Sequence, residues 1–419
     1  MNPGPSVLLV YHFFHPDDVV SAVLYTQLAL ELKRRGWSVT VLTSNRSCRT
    51  RGRSFRGRET WKGIDIIRSF RPDWTQSRPV TRLLNSAWLL CAWACRLCFQ
   101  AQHDVVIVGS DPTFAPMIIL WLRWLKPGRV LVHWCHDLFP EAITAEGQSR
   151  IPRFALTVAR SLMAYAYRAS DLLVDLGACM KQRLAAYGTA AQQVTLAPWA
   201  LVEPAELPTS DSTVRRMMFG DAQFGVLYSG NLGRAHRYEG FLDLARKCRA
   251  AHLDIAFCFA CRGFRSEQLR VDITAEDANI RLLDFVNEEE LERHLAAADF
   301  HLISLREEWS GIVVPSKFFG SLAVGRPVLY DGPENSAIGQ WIREMGVGAV
   351  IDSRDLSATV RYLRRYALDV EELRRLQTRA FQTYRRMFSL EGTLDRWDGL
   401  LRAAMAIEPA RVMTPHVEL

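Results

Sequence analysis

Residues 6–44 read SVLLVYHFFHPDDVVSAVLYTQLALELKRRGWSVTVLTS, and the order of patterns in them decides the fold. The run over 6–11 is short and fully apolar, as a parallel strand covered on both faces requires. The loop that follows, HFFHPDDVVS, ends at Ser21, whose hydroxyl can cap a helix over 22–35. Lys33, Arg34 and Arg35 fill the last turn of that helix, where its dipole favours cations, and Gly36 stops it. Residues 37–43 predict the next strand. So short a crossover between two strands makes them parallel neighbours, a right-handed βαβ unit.

The same alternation continues outward. Apolar runs over 105–109, 130–134, 171–176 and 194–197 follow helical stretches. A polar segment containing Pro, EPAELPTSDS, then intervenes, and strands restart at 225–229, 253–260, 280–283, 300–304, 327–330 and 348–351. The expected fold class is α/β, with two doubly wound domains. The first spans 1–202, a linker 203–218, the second 219–380, and a final helix and tail 381–419. Ligands of such sheets bind beyond the carboxyl ends of the strands, and two such halves predict a site in the cleft between them.

Composition narrows the class. Of the 419 residues, 49% are apolar and 23% charged, which excludes a disordered chain, a collagen or a small disulfide scaffold. The formal charge of +7 is uneven: Arg46–Lys62 carries +6 and the stretch 361–386 carries +5, leaving the remainder near −4. The later stretch reads as a solvated helix face, with Glu371 and Glu372 pairing to Arg374, Arg375 and their neighbours. Nucleic acid is not expected as a partner, since no nucleic-acid module is readable. Nine cysteines form no framework, and Cys91, Cys95, Cys98, Cys258 and Cys261 lack a second pair at zinc spacing. They read as reduced, small buried hydrophobes. The first residues lack the basic start of a signal peptide, so a cytoplasmic protein is expected. Residues 83–95 form an apolar run of thirteen, short of the roughly 20 that span a bilayer. They read either as a buried helix or as one resting in a membrane interface.

Four motifs carry candidate chemistry. Tyr228-Ser229-Gly230-Asn231-Leu232-Gly233-Arg234 is a strand end and small-residue turn suited to a phosphate, with His236 and Arg237 as further cations. In Ser310-Gly311-Ile312-Val313-Val314-Pro315-Ser316-Lys317, a helix starts near Ser316, and Lys317 opposes the helix dipole, which calls for an anion nearby. His133 to Glu141 places His136 and Asp137 directly after a strand, suited to proton transfer or hydroxyl contacts. His12 to Ser21 adds His15, Asp17 and Asp18 after the first strand.

Taken together, RRGWSVTVLTS, HDLFPE, YSGNLG, FVNEEELERHLAAADFHLISL and VVPSKFFGSLAVGRPVL resemble glycosyltransferase family 4, retaining enzymes of the GT-B fold, and within it the WbuB- or WcaI-like branch that assembles bacterial surface polysaccharides. Phe388, Asp395 and Trp397 resemble the helix that returns to the first domain in this fold. The resemblance implies a nucleoside diphosphate sugar as donor, with Gly230, Asn231 and Gly233 shaping the turn beside it. Lys317 and Arg234 would neutralise the diphosphate, with Ser316 at the helix start and Ser310 and Gly311 by the sugar. It implies Asp137 or His136 at the reacting carbon, and His15, Asp17, Asp18 and Ser21 on the acceptor side. A lipid-linked or saccharide acceptor follows, with no metal or other cofactor. Arg46–Lys62 would meet an anionic membrane, peripherally on the inner face of the cell membrane. The sequence departs from the family at Gly320, where a Glu is usual, at Glu239, where a Lys is usual, and at Asp18-Val19-Val20-Ser21, which replaces a glycine-rich loop. A nucleotide-sugar epimerase and a non-catalytic scaffold of the same fold are the competing readings.

Overall fold

The strands that the sequence predicts assemble into two separate sheets, one in each of two units, Met1–Ala197 with Leu394–Leu419 and Pro198–Thr393. The computed structural model describes residues 4–50, 52–75, 79–125, 128–147 and 152–411.

In the first unit, β1 (Ser6–Val10), α1 (Val20–Arg34) and β2 (Ser38–Ser44) form the expected parallel crossover, with Val7 opposite Val39 and Leu9 opposite Val41. A hairpin of β3 (Arg58–Trp61) and β4 (Ile64–Ser69) follows, inside the basic stretch. Next come α2 (Pro79–Phe99), β5 (Val105–Val108), α3 (Met117–Leu125), β6 (Val130–Trp134) and α4 (Glu141–Ala145). The domain continues with α5 (Arg153–Ala169), β7 (Leu172–Asp175), α6 (Ala178–Ala185) and β8 (Gln192–Thr195). The sheet order is β3-β4-β2-β1-β5-β6-β7-β8, and β3 alone runs antiparallel to its neighbour. Strand order therefore reverses between β1 and β5. Leu89, Trp93 and Leu97 of α2 and Ile118, Ile119 and Leu122 of α3 pack on one face of this sheet against Leu8, Val10, Val106 and Leu131.

Helix α1 starts one residue before Ser21, with Val19 at its cap and no side-chain capping bond. Ser21 thus lies inside the first turn, where its hydroxyl bonds the Tyr11 phenol instead. Helix α2 is longer than the apolar run, and it is not buried on all sides as the first of the two readings expected. One face is core; the other, with Leu83, Leu84 and Trp88, is open. Cys91, Cys95 and Cys98 lie on that open face, so they are exposed rather than buried hydrophobes.

The second unit contains α7 (Ser212–Phe219), β9 (Phe224–Asn231), α8 (Glu239–Ala250), β10 (Ile255–Arg262), α9 (Ser266–Asp272), β11 (Ile280–Leu283) and α10 (Glu288–Ala297). After them come β12 (Phe300–Ser304), α11 (Lys317–Ala323), β13 (Val328–Asp331), α12 (Ala337–Met345), β14 (Gly348–Val350), α13 (Leu356–Leu368) and α14 (Val370–Met387). Its sheet order, β11-β10-β9-β12-β13-β14, is parallel throughout and reverses between β9 and β12. This is the doubly wound dinucleotide-fold order.

Residues 203–218 are not a free linker. Asp211 caps α7 by accepting from the amides of Thr213 (2.9 Å) and Val214 (3.2 Å), and Met218 and Phe219 pack against Ala256 and Cys258. Glu203 accepts from the Tyr384 hydroxyl at 2.9 Å and from the Leu390 amide at 2.8 Å. In the later basic stretch Glu372 pairs with Arg365 of the preceding helix, while Arg374 and Arg375 are exposed. The last helix, α15 (Leu390–Arg411), joins the first unit from Leu394 onward. There Asp395 pairs with Arg35, Asp398 accepts from the Trp37 indole at 2.6 Å, and Trp397 meets Trp134 edge-on at 4.9 Å.

Candidate functional site

In each unit the conspicuous side chains gather where strand order reverses, since there the loops after two neighbouring strands diverge to opposite faces and leave a crevice.

In the second unit that point lies beyond β9 and β12. Gly230 has φ +121°, a conformation that side chains rarely adopt, and a Cβ there would lie 3.0 Å from Lys317 Cε. The turn thus makes room for the Lys317 side chain. From the first turn of α11 that side chain reaches back to donate to the Asn231 carbonyl at 2.8 Å, with its ammonium 5.3 Å from the Tyr228 ring centroid. It also lies 3.3 Å from His236 Nε2, with the Cys261 thiol nearby. Among the described residues no carboxylate pairs with it, and burial pushes its pKa down to about 8. Energetically this is an unbalanced cation, the condition that binding an anion relieves.

His236 is not the cation that the sequence suggested. Burial and the Lys317 charge push it down to about 3, so it is neutral, and Nδ1 donates to the Ser304 carbonyl at 2.6 Å. Arg237 is committed to buried Asp331, at 2.5 Å. Arg234 lies over the Phe264 ring at 4.1 Å, and Gly233 sits close beside the Asn231 side chain. Ser310 and Gly311 follow the short turn Glu307–Trp309, which is tied to the β9 loop by the Arg306 amide donating to the Ala235 carbonyl at 2.8 Å. Ser316 precedes α11 in helical conformation and makes no side-chain capping bond.

In the first unit the crevice lies beyond β1 and β5. His12 Nδ1 meets Asp111 Oδ2 at 3.0 Å across it, and His12 Nε2 is buried with no partner among the described residues. Asp111 had no signal in the sequence reading; its partner is 99 residues away. Beside it, Ser110 Oγ accepts from the amides of His136 (2.9 Å) and Asp137 (3.2 Å), holding the loop after β6. Burial and the Asp111 charge raise the Asp137 carboxyl to about 7. Burial lowers His136 to about 3, leaving it neutral, against Trp134 with ring centroids 4.5 Å apart. A carboxyl that titrates near neutrality beside the neutral His136 imidazole can hold or release a proton at working pH.

The remaining candidates of this unit hold structure around the crevice. Asp17 accepts from Ser47 Oγ (3.1 Å) and the Cys48 amide (3.0 Å), and Asp18 pairs with Arg49 at 2.7 Å. Both fasten the basic loop. His15 stacks on Trp61 at 3.9 Å, and its carbonyl accepts from buried Arg68 at 2.7 Å. No three His, Cys, Asp or Glu side chains among the described residues are grouped as a metal site.

Two doubly wound domains, each with its sheet order reversing once, place the chain in the GT-B fold class. Solved structures share it over most of the chain. Sucrose-phosphate synthase from Thermosynechococcus elongatus superposes with a TM-score of 0.71 at 13% identity, covering 96% of this chain and 100% of that one. Anabaena HepE, solved in complex with UDP, gives 0.65 at 11%, covering 95% and 100%. WaaG, a glycosyltransferase involved in lipopolysaccharide biosynthesis, gives 0.63 at 15%, covering 94% and 99%. Residues 21–200 match the model of Glycosyltransferase Family 4. The chain is also 27% identical over 285 residues to "Probable glycosyltransferase WbjE" of Pseudomonas aeruginosa, spanning 66% of this chain and 70% of that protein. Over residues 21–200 the chain is thus similar to glycosyltransferase family 4, and over most of its length it shares the GT-B fold.

Proposed function

We propose that this glycosyltransferase moves a hexose, with retention of configuration, from a nucleoside diphosphate sugar to a lipid-linked or saccharide acceptor in surface-polysaccharide assembly. The observation that carries the reading is the half-buried ammonium of Lys317 at the reversal point of the second sheet, with no carboxylate paired to it among the described residues. A diphosphate supplies the missing counter-charge.

In this reading Lys317, with Arg234, stabilises the negative charge that grows on the leaving diphosphate, so the chain itself provides the electrostatic work and needs neither a metal nor another cofactor. The Gly230-Asn231-Leu232-Gly233 turn lets the donor approach the backbone, Ser310 and Gly311 border the sugar, and Ser316 starts the helix that carries Lys317. Gly320 brings no carboxylate to the ribose hydroxyls. Such a charge-assisted hydrogen bond is worth roughly 1.5–3 kcal/mol, which other donor contacts must supply here. The first unit takes the acceptor. Asp137, poised near neutral pH, faces the reacting carbon with His136, while His15, Asp17, Asp18 and Ser21 shape the acceptor side. A lipid-linked acceptor places the work peripherally at the inner face of the cell membrane.

The test is product analysis. The full chain is incubated with a panel of nucleoside diphosphate hexoses and a bacterial lipid extract, and products are read by mass spectrometry and proton NMR. A hexosylated lipid or saccharide that keeps the donor's anomeric configuration, and is lost in Asp137→Asn, is the expected result. Inverted configuration would refute retention, epimerised donor would favour the epimerase, and no turnover of any donor would favour the scaffold.

A further inference from the structure

The outer face of a helix layer packed on a sheet is ordinarily polar. In the first unit it is not. Helices α2, α3 and α5 lie side by side, α2 against α3 through the Trp121 indole donating to the Ala94 carbonyl at 3.0 Å, and α3 against α5. Their inner sides supply the core, yet their outer sides display Leu84 and Trp88, Trp124, and a stripe of Phe154, Val158 and Leu162 spaced four apart on α5. Trp124 is 76% exposed and Phe154 73%. Large apolar side chains exposed together on one helix layer mark an interaction surface.

The charges on this layer are equally one-sided. None of the three helices contains an Asp or Glu, and they carry six arginines, with Arg153 and Arg160 exposed beside the α5 stripe. The basic loop adjoins it: Arg46 lies 5.8 Å from the Phe70 ring, and Phe70 meets Trp88 edge-on at 6.3 Å. Trp88 also donates its indole N–H to the Phe70 carbonyl at 3.0 Å, so its polar edge is satisfied while the ring stays open.

We propose that the outer face of α2, α3 and α5 docks on an anionic lipid bilayer, with Arg46–Lys62 at its margin. Arg82 pairs with Glu146 at 3.8 Å and Arg123 with Asp171 at 2.6 Å, but Arg153 and Arg160 have no ion pair among the described residues, so a second copy docked by this same face would set these two arginines against their counterparts. A bilayer supplies both requirements: anionic headgroups for the guanidinium groups and acyl chains for the rings. Among the described residues no helix is long and apolar enough to cross a membrane, so the helices lie in the interface plane. The proposal deepens the reading of a lipid-linked acceptor and rests on it for its purpose, but the surface itself is defined without it.

The experiment is co-sedimentation of the full chain with vesicles of phosphatidylcholine alone or with added phosphatidylglycerol, free of acceptor and donor, at low and high salt. Wild type is expected to pellet with the anionic vesicles and to be released by salt. Arg153→Glu with Arg160→Glu should weaken binding roughly thirtyfold or more, the usual effect of two surface cations. Phe154→Ser with Leu162→Ser should weaken it at both salt concentrations. These residues are exposed, and unchanged thermal unfolding of each variant would establish that it folds. Equal binding of wild type and variants, no preference for anionic vesicles, or a salt-stable dimer abolished by the variants would overturn the proposal. Lys317→Ala and Asp137→Asn should bind vesicles as wild type does. Failure of sugar transfer with vesicle binding intact would therefore count against the functional reading and leave this one standing.

Discussion

Lys317 Nζ lies 3.3 Å from Nε2 of His236, whose Nδ1 is 2.6 Å from the Ser304 carbonyl oxygen. A carbonyl can only accept, so Nδ1 carries the proton and Nε2 offers its lone pair to the ammonium. The neutral imidazole thus steadies Lys317 without cancelling its charge. A carboxylate in its place would have balanced the cation and weakened its pull on an anion.

This arrangement has a signed consequence for stability. The folded pKa of Lys317, about 8, is below its ordinary 10.5, so between these values the unfolded chain holds more protons. Stability of the unliganded protein should therefore rise with pH across that window. Lys317→Met should abolish this rise and be more stable than wild type near neutrality. Urea unfolding of both proteins at about pH 7 and about pH 10 reads the difference.

Asp137 gives the opposite sign. Its folded pKa, about 7, is above the ordinary 3.8, so the folded protein holds the extra proton between them. Its contribution is favourable at low pH and declines as pH rises toward 7. Asp137→Asn should unfold at a higher temperature than wild type above that pH, with the gap closing on acidification. The same variant should lose sugar transfer. Thermal unfolding across pH, paired with product assays, checks both.

Gly109, at the end of β5, has no room for a side chain. An added Cβ would sit 2.3 Å from a Tyr11 ring carbon and 2.4 Å from the Tyr25 hydroxyl. Those two rings stack at 4.1 Å beneath the first-unit crevice. Gly109→Ala should cost about 1–3 kcal/mol in denaturant unfolding through overpacking.

Gly320 is the contrasting case. It lies within α11, and the nearest atom to an added Cβ, Leu295 Cδ1, is at 3.7 Å, an ordinary contact. Gly320→Ala should stabilise by about 0.4–1 kcal/mol through the unfolded chain's entropy, which a shift of the urea midpoint measures.

The parallel strands were legible because strands covered on both faces must be nearly continuous apolar runs. The β3–β4 hairpin was hidden among arginines. Its signal is the Lys62-Gly63 turn, with φ +49° and +76°, between alternating Arg58–Trp61 and Ile64–Ser69. Lys317 was legible as a cation placed against a helix dipole, but His236 looked cationic, since sequence does not reveal burial. Asp111 was invisible for a different reason: only the β1–β5 pairing brings it to His12. The exposure of Cys91, Cys95 and Cys98 was likewise illegible, because a helix apolar on all sides does not declare which face meets the core.

The most direct measurement is thermal protection of wild type and Lys317→Ala by a panel of nucleoside diphosphate sugars. Protection of wild type by at least one donor, lost in Lys317→Ala, is the expected result. Protection that persists undiminished in Lys317→Ala, or its absence with every donor, would contradict the assignment of the donor to this cation.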